Sequence, residues 1–294
     1  MCGKFLGANV LKSDNNPQQP TSKIVELLCL LGHEKRKVGN RDQYKHSLEK
    51  AIDLHTKHPN EFDQEKVSEA FFRNSYARFL SEERTFDEAG EQFHIGLKVC
   101  EDYLPEDYLQ RGVTLLYSGR EDNRRNEHNK AEKKLNEALK LFQKSLGTHV
   151  MTDLLLKDLA NFHLFHGEKN LGSLGDRQNS IKLYGQALEM MGNLGIKDHK
   201  ECILVFTNLG ICHQLQDELE EAMKLYQASL NIAERELGEN HRWKIYVMVQ
   251  MAYWHQENGN MVEAKALKDQ AMKMSDALKL PDHQPPNKFL LEKI

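Results

Sequence analysis

Residues 207–241, TNLGICHQLQDELEEAMKLYQASLNIAERELGENH, decide the fold. Leu209 and Gly210 stand in the middle of one apolar-periodic segment, and Ala222, Tyr226 and Ser229 follow Gly210 at 12, 16 and 19 residues. That is the spacing of a helix, a turn and a second helix. A small residue lets two helices approach closely, the aromatic four residues after Ala222 shares its face, and the next small residue admits a neighbouring hairpin. Leu237-Gly238 then marks where the second helix ends.

Outward from this stretch the same small residue recurs at Gly32, Ala77, Gly119, Ala160, Gly210 and Ala252, in steps of 45, 42, 41, 50 and 42 residues. Its companions recur too. They are Ala89, Phe93 and Gly96 in the second copy, Ala131, Leu135 and Ala138 in the third, and Ala264 and Ala271 in the sixth. The first copy has Tyr44, Leu48 and Ala51, and the fourth has Ser180, Tyr184 and Ala187 after a connection eight residues longer. A period of this size over most of a chain predicts a stacked array of six helical hairpins, so function is sought on a long surface. The additional residues of the fourth copy, 169–176 with Gly172 and Gly175, are expected to form an exposed loop.

Proline supports the register, because it costs about 3 kcal/mol inside a helix. Pro59 and Pro105 fall between copies, Pro17 and Pro20 precede the first, and Pro281, Pro285 and Pro286 follow the last. Leu146-Gly147 and Leu194-Gly195 mark two further helix ends.

The stretch Thr207 to Gly210, then Glu221-Ala222, Leu225-Tyr226, Leu230 to Ile232 and Leu237 to His241, resembles the tetratricopeptide repeat, in the 42-residue variety of kinesin light chains and related adaptor or sensor proteins. Arg242 stands where that family usually has proline. The resemblance implies an all-α, right-handed solenoid of about six helical hairpins over residues 24–280, with a flexible lead-in at 1–23 and a tail at 281–294.

Composition narrows the function. The 294 residues are 39% apolar and 29% charged, with 40 basic against 44 acidic side chains and a net charge of −4. Such a balance suits amphipathic helices and gives no overall attraction to nucleic acid or anionic membrane. No apolar run approaches the ~20 residues of a membrane span, and the start lacks a signal peptide's apolar region. Five cysteines without CxxC spacing argue against a disulfide framework and for a reducing, cytoplasmic setting. The sequence carries no phosphate-binding loop, GxSxG, HExxH or EF-hand pattern, so no catalytic residue, metal or cofactor is assigned. His163, His213 and His255 recur three residues after the small position, but stacked equivalents lie about 10 Å apart, too far to share a zinc, and a packing role is expected. The basic run from Gly119 to Lys134 also holds Glu121, Asp122, Glu127 and Glu132, and reads as a solvated helix end rather than a phosphate site.

Helical periodicity places positions −6, −3, −2, +1 and +4, counted from the small residue, on one stripe of each first helix. In tetratricopeptide arrays that stripe lines the concave groove. Here it presents Asn74, Arg78, Tyr117, Arg120, Lys157, Asn161, Asn208 and Gln250, together with Asp158. Amides can bond an extended peptide backbone, and Arg or Lys can hold its acidic groups. Chaperone-binding relatives clamp a terminal carboxylate. Lys157, Asn161 and Asn208 match the first three positions of that clamp, while Tyr246 and Gln250 occupy the last two, so the clamp is incomplete.

The expected function is a non-enzymatic scaffold or adaptor that binds a protein or peptide, an acidic or aromatic-containing segment being the expected ligand. Two alternatives stand beside it: the repeat sensor or regulatory segment of a larger signalling system, and an RNA-binding solenoid.

Overall fold

In the computed structural model the chain is all-α. The structure describes residues 21–37, 40–62, 66–169, 174–196 and 199–278. Among the described residues there are twelve α-helices and no strand. They are α1 (Thr21–Lys37), α2 (Arg41–Lys57), α3 (Lys66–Glu82), α4 (Phe86–Tyr103), α5 (Leu109–Arg124), α6 (His128–Leu146), α7 (Val150–Lys169), α8 (Leu174–Asn193), α9 (Cys202–Gln214), α10 (Leu219–Glu236), α11 (Arg242–Glu257) and α12 (Met261–Leu278). Each odd helix packs on the even helix that follows it. Pro59 lies in a short 3-10 helix, Pro59–Phe62, between α2 and α3, and Pro105 lies between α4 and α5, as the register requires. The prolines of the lead-in and tail fall outside the described residues.

The recurring small residues sit where the two helices of a hairpin cross. Ala77, Ala160 and Ala252 are fully buried, as are Ala89, Ala131, Ser180 and Ala222 on the facing helices. Gly210 shows why the position must be small. A Cβ there would lie 2.6 Å from Cε1 of Tyr226, whose ring is fully buried and whose hydroxyl donates to Gln214 Oε1 at 2.7 Å. The aromatic thus lies directly over the glycine, and neither can change without the other.

The turn within a hairpin repeats as well. Seven residues after the small position stand Arg84, Asn126, Asp217 and Gly259, with φ of 64°, 62°, 61° and 75°. The next residue donates its N–H five residues back in every case: Thr85 to Leu80, Glu127 to Asp122, Glu218 to His213 and Asn260 to His255, at 2.8 to 3.0 Å. This is the left-handed cap that ties up the last carbonyls of a helix. The fourth copy departs from it. Gly167 holds the equivalent position, yet α7 runs through it to Lys169 and α8 begins at Leu174. The longer connection is therefore largely taken up as added helix: of the loop expected at 169–176, Lys169 and residues 174–176 are helical, and 170–173 lie outside the described residues. Between hairpins, Gly147 and Gly195 adopt the left-handed conformation, whereas the stop at Gly238 is reached through an extended Leu237 (φ −117°, ψ 151°).

The chain divides into two compact units, residues 1–145 and 146–294. In the first, Leu28, Tyr44, Leu48, Phe72 and Phe79 belong to one apolar cluster. In the second, Tyr184, Met191, Ile203, Val205, Tyr226 and Val247 do the same. Cys29, Cys100, Cys202 and Cys212 are buried within the units and not joined in disulfides, and burial pushes the Cys29 thiol up to about 12.

Candidate functional site

The first helices carry the expected stripe, and a rule of contact governs it. The residue at +1 of one first helix meets the residue at −2 of the next. In the first unit His33 bonds Ser75 Oγ at 3.1 Å, and the Arg78 guanidinium lies 4.3 Å from the centre of the Tyr117 ring. In the second, Asn208 Nδ2 donates to Asn161 Oδ1 at 2.9 Å. Stacking of neighbouring hairpins brings the two positions together in these three pairs. The stripe is thus a row of side chains that bridge neighbouring repeats and remain, in most cases, partly open to solvent.

Within the first unit the sequence-derived residues separate into two kinds. Asn74 is buried and donates to Thr114 Oγ1 at 2.8 Å, which fixes α3 to α5. It is a structural bridge. Arg78, Tyr117 and Arg120 are half-buried and lie together, since the Arg120 guanidinium is also 5.3 Å from the centre of the Tyr117 ring. A tyrosine flanked by two guanidinium groups is a small cationic and aromatic platform.

In the second unit Asn161 and Asn208 form a relay with two tyrosines. Tyr184 donates to Asn161 Oδ1, and Tyr246 donates to Asn208 Oδ1 at 3.2 Å. Burial holds the Tyr184 phenol well above its ordinary range, so it stays a donor. Both acceptor oxygens of the pair are therefore engaged inside the protein. Lys157 is not an open cation either: its Nζ lies 2.9 Å from Asp153 Oδ2, and that carboxylate is only 2% exposed. Gln250 is half-buried on α11. Arg78 and Arg120 belong to the first unit, and Lys157, Asn161, Asn208 and Gln250 to the second. Contacts join Arg78, Tyr117 and Arg120 within the first unit, and Asn161 and Asn208 within the second.

Sequence reasoning missed His33, Ser75 and Tyr184 as members of the stripe or its support. The signal was present for the first two, which occupy the same +1 and −2 offsets as Arg78 and Tyr117. Tyr184 could not be read, because it reaches Asn161 from the second helix of its own hairpin.

The recurring histidines serve the turns. His213 bonds the Glu218 carboxylate, and His163 Nδ1 lies 3.4 Å from Asp176 Oδ1, each joining the end of a first helix to the start of the second. His255 instead sets its ring edge-on to Trp254, at 5.1 Å between centres, and Trp254 donates to the Leu219 carbonyl. A purely aromatic packing role describes His255 and corrects for the other two, where the ring nitrogen finds an acid. Among the described residues no group of three or more His, Cys, Asp or Glu side chains is arranged to hold a metal ion.

Four cations of the basic run of the third copy are paired with acids of the same run. Arg124 lies 2.9 Å from Glu121, Arg125 3.2 Å from Glu127, Lys130 2.6 Å from Glu127 and Lys134 2.7 Å from Asp122. No helix among the described residues is long and apolar enough to cross a membrane.

Residues 201–277 match the family model for the tetratricopeptide repeat. Comparison with curated proteins finds no match. Among solved structures, the chain is similar to nearly identical TPR-like repeats of a kinesin light chain candidate from Podosopora anserina, with 17% identity, a TM-score of 0.59 and coverage of 71% of this chain and 96% of that one. It is similar to a Rap protein complexed with competence and sporulation factor, at 11% identity and TM-score 0.67, covering 93% of this chain and 70% of that one. A signal transduction ATPase with a tetratricopeptide repeat sensor from Pyrococcus horikoshii gives 14% identity and TM-score 0.65, over 88% of this chain and 37% of that one. The fold is that of a tetratricopeptide-like helical solenoid, with repeats resembling those of kinesin light chains.

Proposed function

We propose that the protein is a non-enzymatic, cytoplasmic scaffold or adaptor that captures a protein or peptide along the first-helix stripe. The observation that carries this reading is the set of half-buried polar and aromatic side chains that the first helices present in each unit, several of them joined by the +1 to −2 contacts. His33, Arg78, Tyr117, Arg120, Asn161 and Gln250 are neither core nor fully solvated surface. Side chains held in place by a neighbouring repeat lose little further freedom when a ligand docks, which lowers the entropic cost of binding. Affinity would be distributed along the row. The similarity to a Rap protein solved with a bound factor supports the class of function. The half-buried Arg78 and Arg120 beside Tyr117 favour an acidic segment in the partner.

An array of immobilised peptides tests the reading. The intact chain should retain a defined subset, and the variants Tyr117→Ala and Gln250→Ala should lose members of it while melting at an unchanged temperature. Identical subsets for all three proteins would remove the stripe as the binding surface. Retention on RNA with steep salt dependence would favour the nucleic-acid alternative instead.

A second reading, the repeat sensor of a larger signalling protein, has the similarity to the Pyrococcus horikoshii ATPase behind it. Gene context extending the reading frame into an ATPase would select it.

A further inference from the structure

We infer that Arg78, stacked on Tyr117, is the anchor for a carboxylate side chain of the bound peptide; the inference rests on the scaffold reading above and assigns the ligand chemistry of its first unit.

Three observations lead to it. First, the Arg78 guanidinium carbon lies over the Tyr117 ring, 4.3 Å from its centre. Stacking of this kind uses the π surface of a guanidinium and leaves its N–H donors, which lie in the plane, directed outward. A planar fork of donors is the geometry that accepts a carboxylate with two parallel hydrogen bonds. Second, the acid placed to neutralise Arg78 is engaged elsewhere. Glu82 stands one helical turn along α3, where an i, i+4 pair would form. Its Oε1 is instead 2.5 Å from Nε of Arg36 on α1, and neighbouring Glu83 is held by Arg41 at 2.9 Å. Third, of the other two cations proposed for the ligand, Lys157 already has its carboxylate in Asp153, and Arg120 lies farther from the Tyr117 ring centre, at 5.3 Å. The arrangement therefore singles out Arg78 as a cation held over a ring and, among the described residues, without an ion pair.

The half-buried setting adds to the effect. Partial removal of water strengthens a charge-assisted hydrogen bond, and a pre-oriented guanidinium gives up little side-chain entropy to make it. Tyr117 is the positioning residue and Arg78 the contacting one.

The test uses the full chain and labelled peptides of alternating leucine and glutamate, their leucine and glutamine counterparts, and a version with phosphoserine in place of glutamate. The intact chain should bind the glutamate peptide about tenfold or more tightly than the glutamine peptide, as expected for one charge-assisted bidentate contact. Arg78→Gln should erase that preference, Arg78→Lys should restore part of it, and Tyr117→Leu should weaken it with the charge unchanged. Arg235→Gln, which alters net charge equally at an exposed site in the second unit, should leave it intact. A glutamate preference that survives in Arg78→Gln, or equal binding of the glutamate and glutamine peptides by the intact chain, overturns the inference. A stronger response to phosphoserine than to glutamate, lost in Arg78→Gln, overturns the carboxylate assignment in favour of a phosphorylated partner. Array peptides retained without acidic residues and unaffected by Arg78→Gln would leave the scaffold reading standing while removing this one. Failure to retain any peptide would remove both.

Discussion

At Gly210 the absence of a single methyl group decides how closely two helices approach. An alanine would bring its Cβ to 2.6 Å from a ring that has no room to withdraw. Gly210→Ala should therefore destabilise the second unit by about 1–3 kcal/mol, the usual cost of overpacking, and denaturant melts would show it. Lys157 gives a different kind of sensitivity. Lys157→Met would strand the Asp153 carboxylate, which is 2% exposed, and removing one partner of such a buried pair typically costs about 3 kcal/mol or more. Near-wild-type stability in this variant would mean that Asp153 finds water or another donor. His55 supplies a pH dependence. Its ring is stacked on Phe72 at 4.4 Å, and burial, aided by Arg73 and opposed by Glu69, lowers its pKa from 6.5 to about 4. The unfolded chain takes up this proton below 6.5 while the folded chain stays neutral until about 4. Stability is thus lost as pH falls through that window. His55→Leu should lessen the acid-side loss of stability measured by urea titration between those pH values; an unchanged slope would place the histidine in a more solvated setting.

The hairpin was legible in the sequence because its spacing is imposed by contacts inside one repeat. Small residue, turn and aromatic recur at fixed distances, and proline excludes itself from helix interiors. What single-chain periodicity could not supply is the partner in the next repeat. The mutual engagement of Asn161 with Asn208 depends on stacking pitch and on which rotamer reaches across, whereas the pairing of Lys157 with Asp153 is an i, i+4 contact within α7 that the spacing alone allowed. The turn signal lay in plain view: Gly39, Arg84, Asn126, Gly167, Asp217 and Gly259 all stand seven residues after the small position. Glycine, asparagine and aspartate tolerate the left-handed conformation, while arginine does so at a cost of roughly 1–2 kcal/mol. Replacing Arg84 with glycine should stabilise the first unit by about 0.5–1 kcal/mol, once the greater freedom of glycine in the unfolded chain is offset. Gly259→Ala should act in the opposite sense by about 1 kcal/mol. Thermal melts in which both changes shift the midpoint in the same direction would contradict the shared cap geometry.

Across each unit stability should spread from hairpin to hairpin, since a stacked repeat contacts only its neighbours. In the second unit α9 and α10 are bound on both sides. Asn208 joins Asn161 and Tyr246, Cys212 lies 3.4 Å from Ser180, and the Leu219 carbonyl accepts from Trp254. The last helix, α12, has a neighbour on one side only among the described residues, and its Met261 and Val262 are 58% and 79% exposed. Native-state hydrogen exchange should therefore find the slowest amides of this unit in α9 and the fastest in α12. Local defects should propagate by the same rule. Ala264→Leu, placed at a contact only 2% exposed, should speed exchange in α11 and α12 and do much less to α7 and α8. Gly210→Ala, in the central hairpin, should speed it in all six helices of the unit, because both flanking hairpins lose the surface they pack against. Equal spread from both substitutions would mean that the unit unfolds as one cooperative body, and the repeat-by-repeat account of its stability would have to be given up.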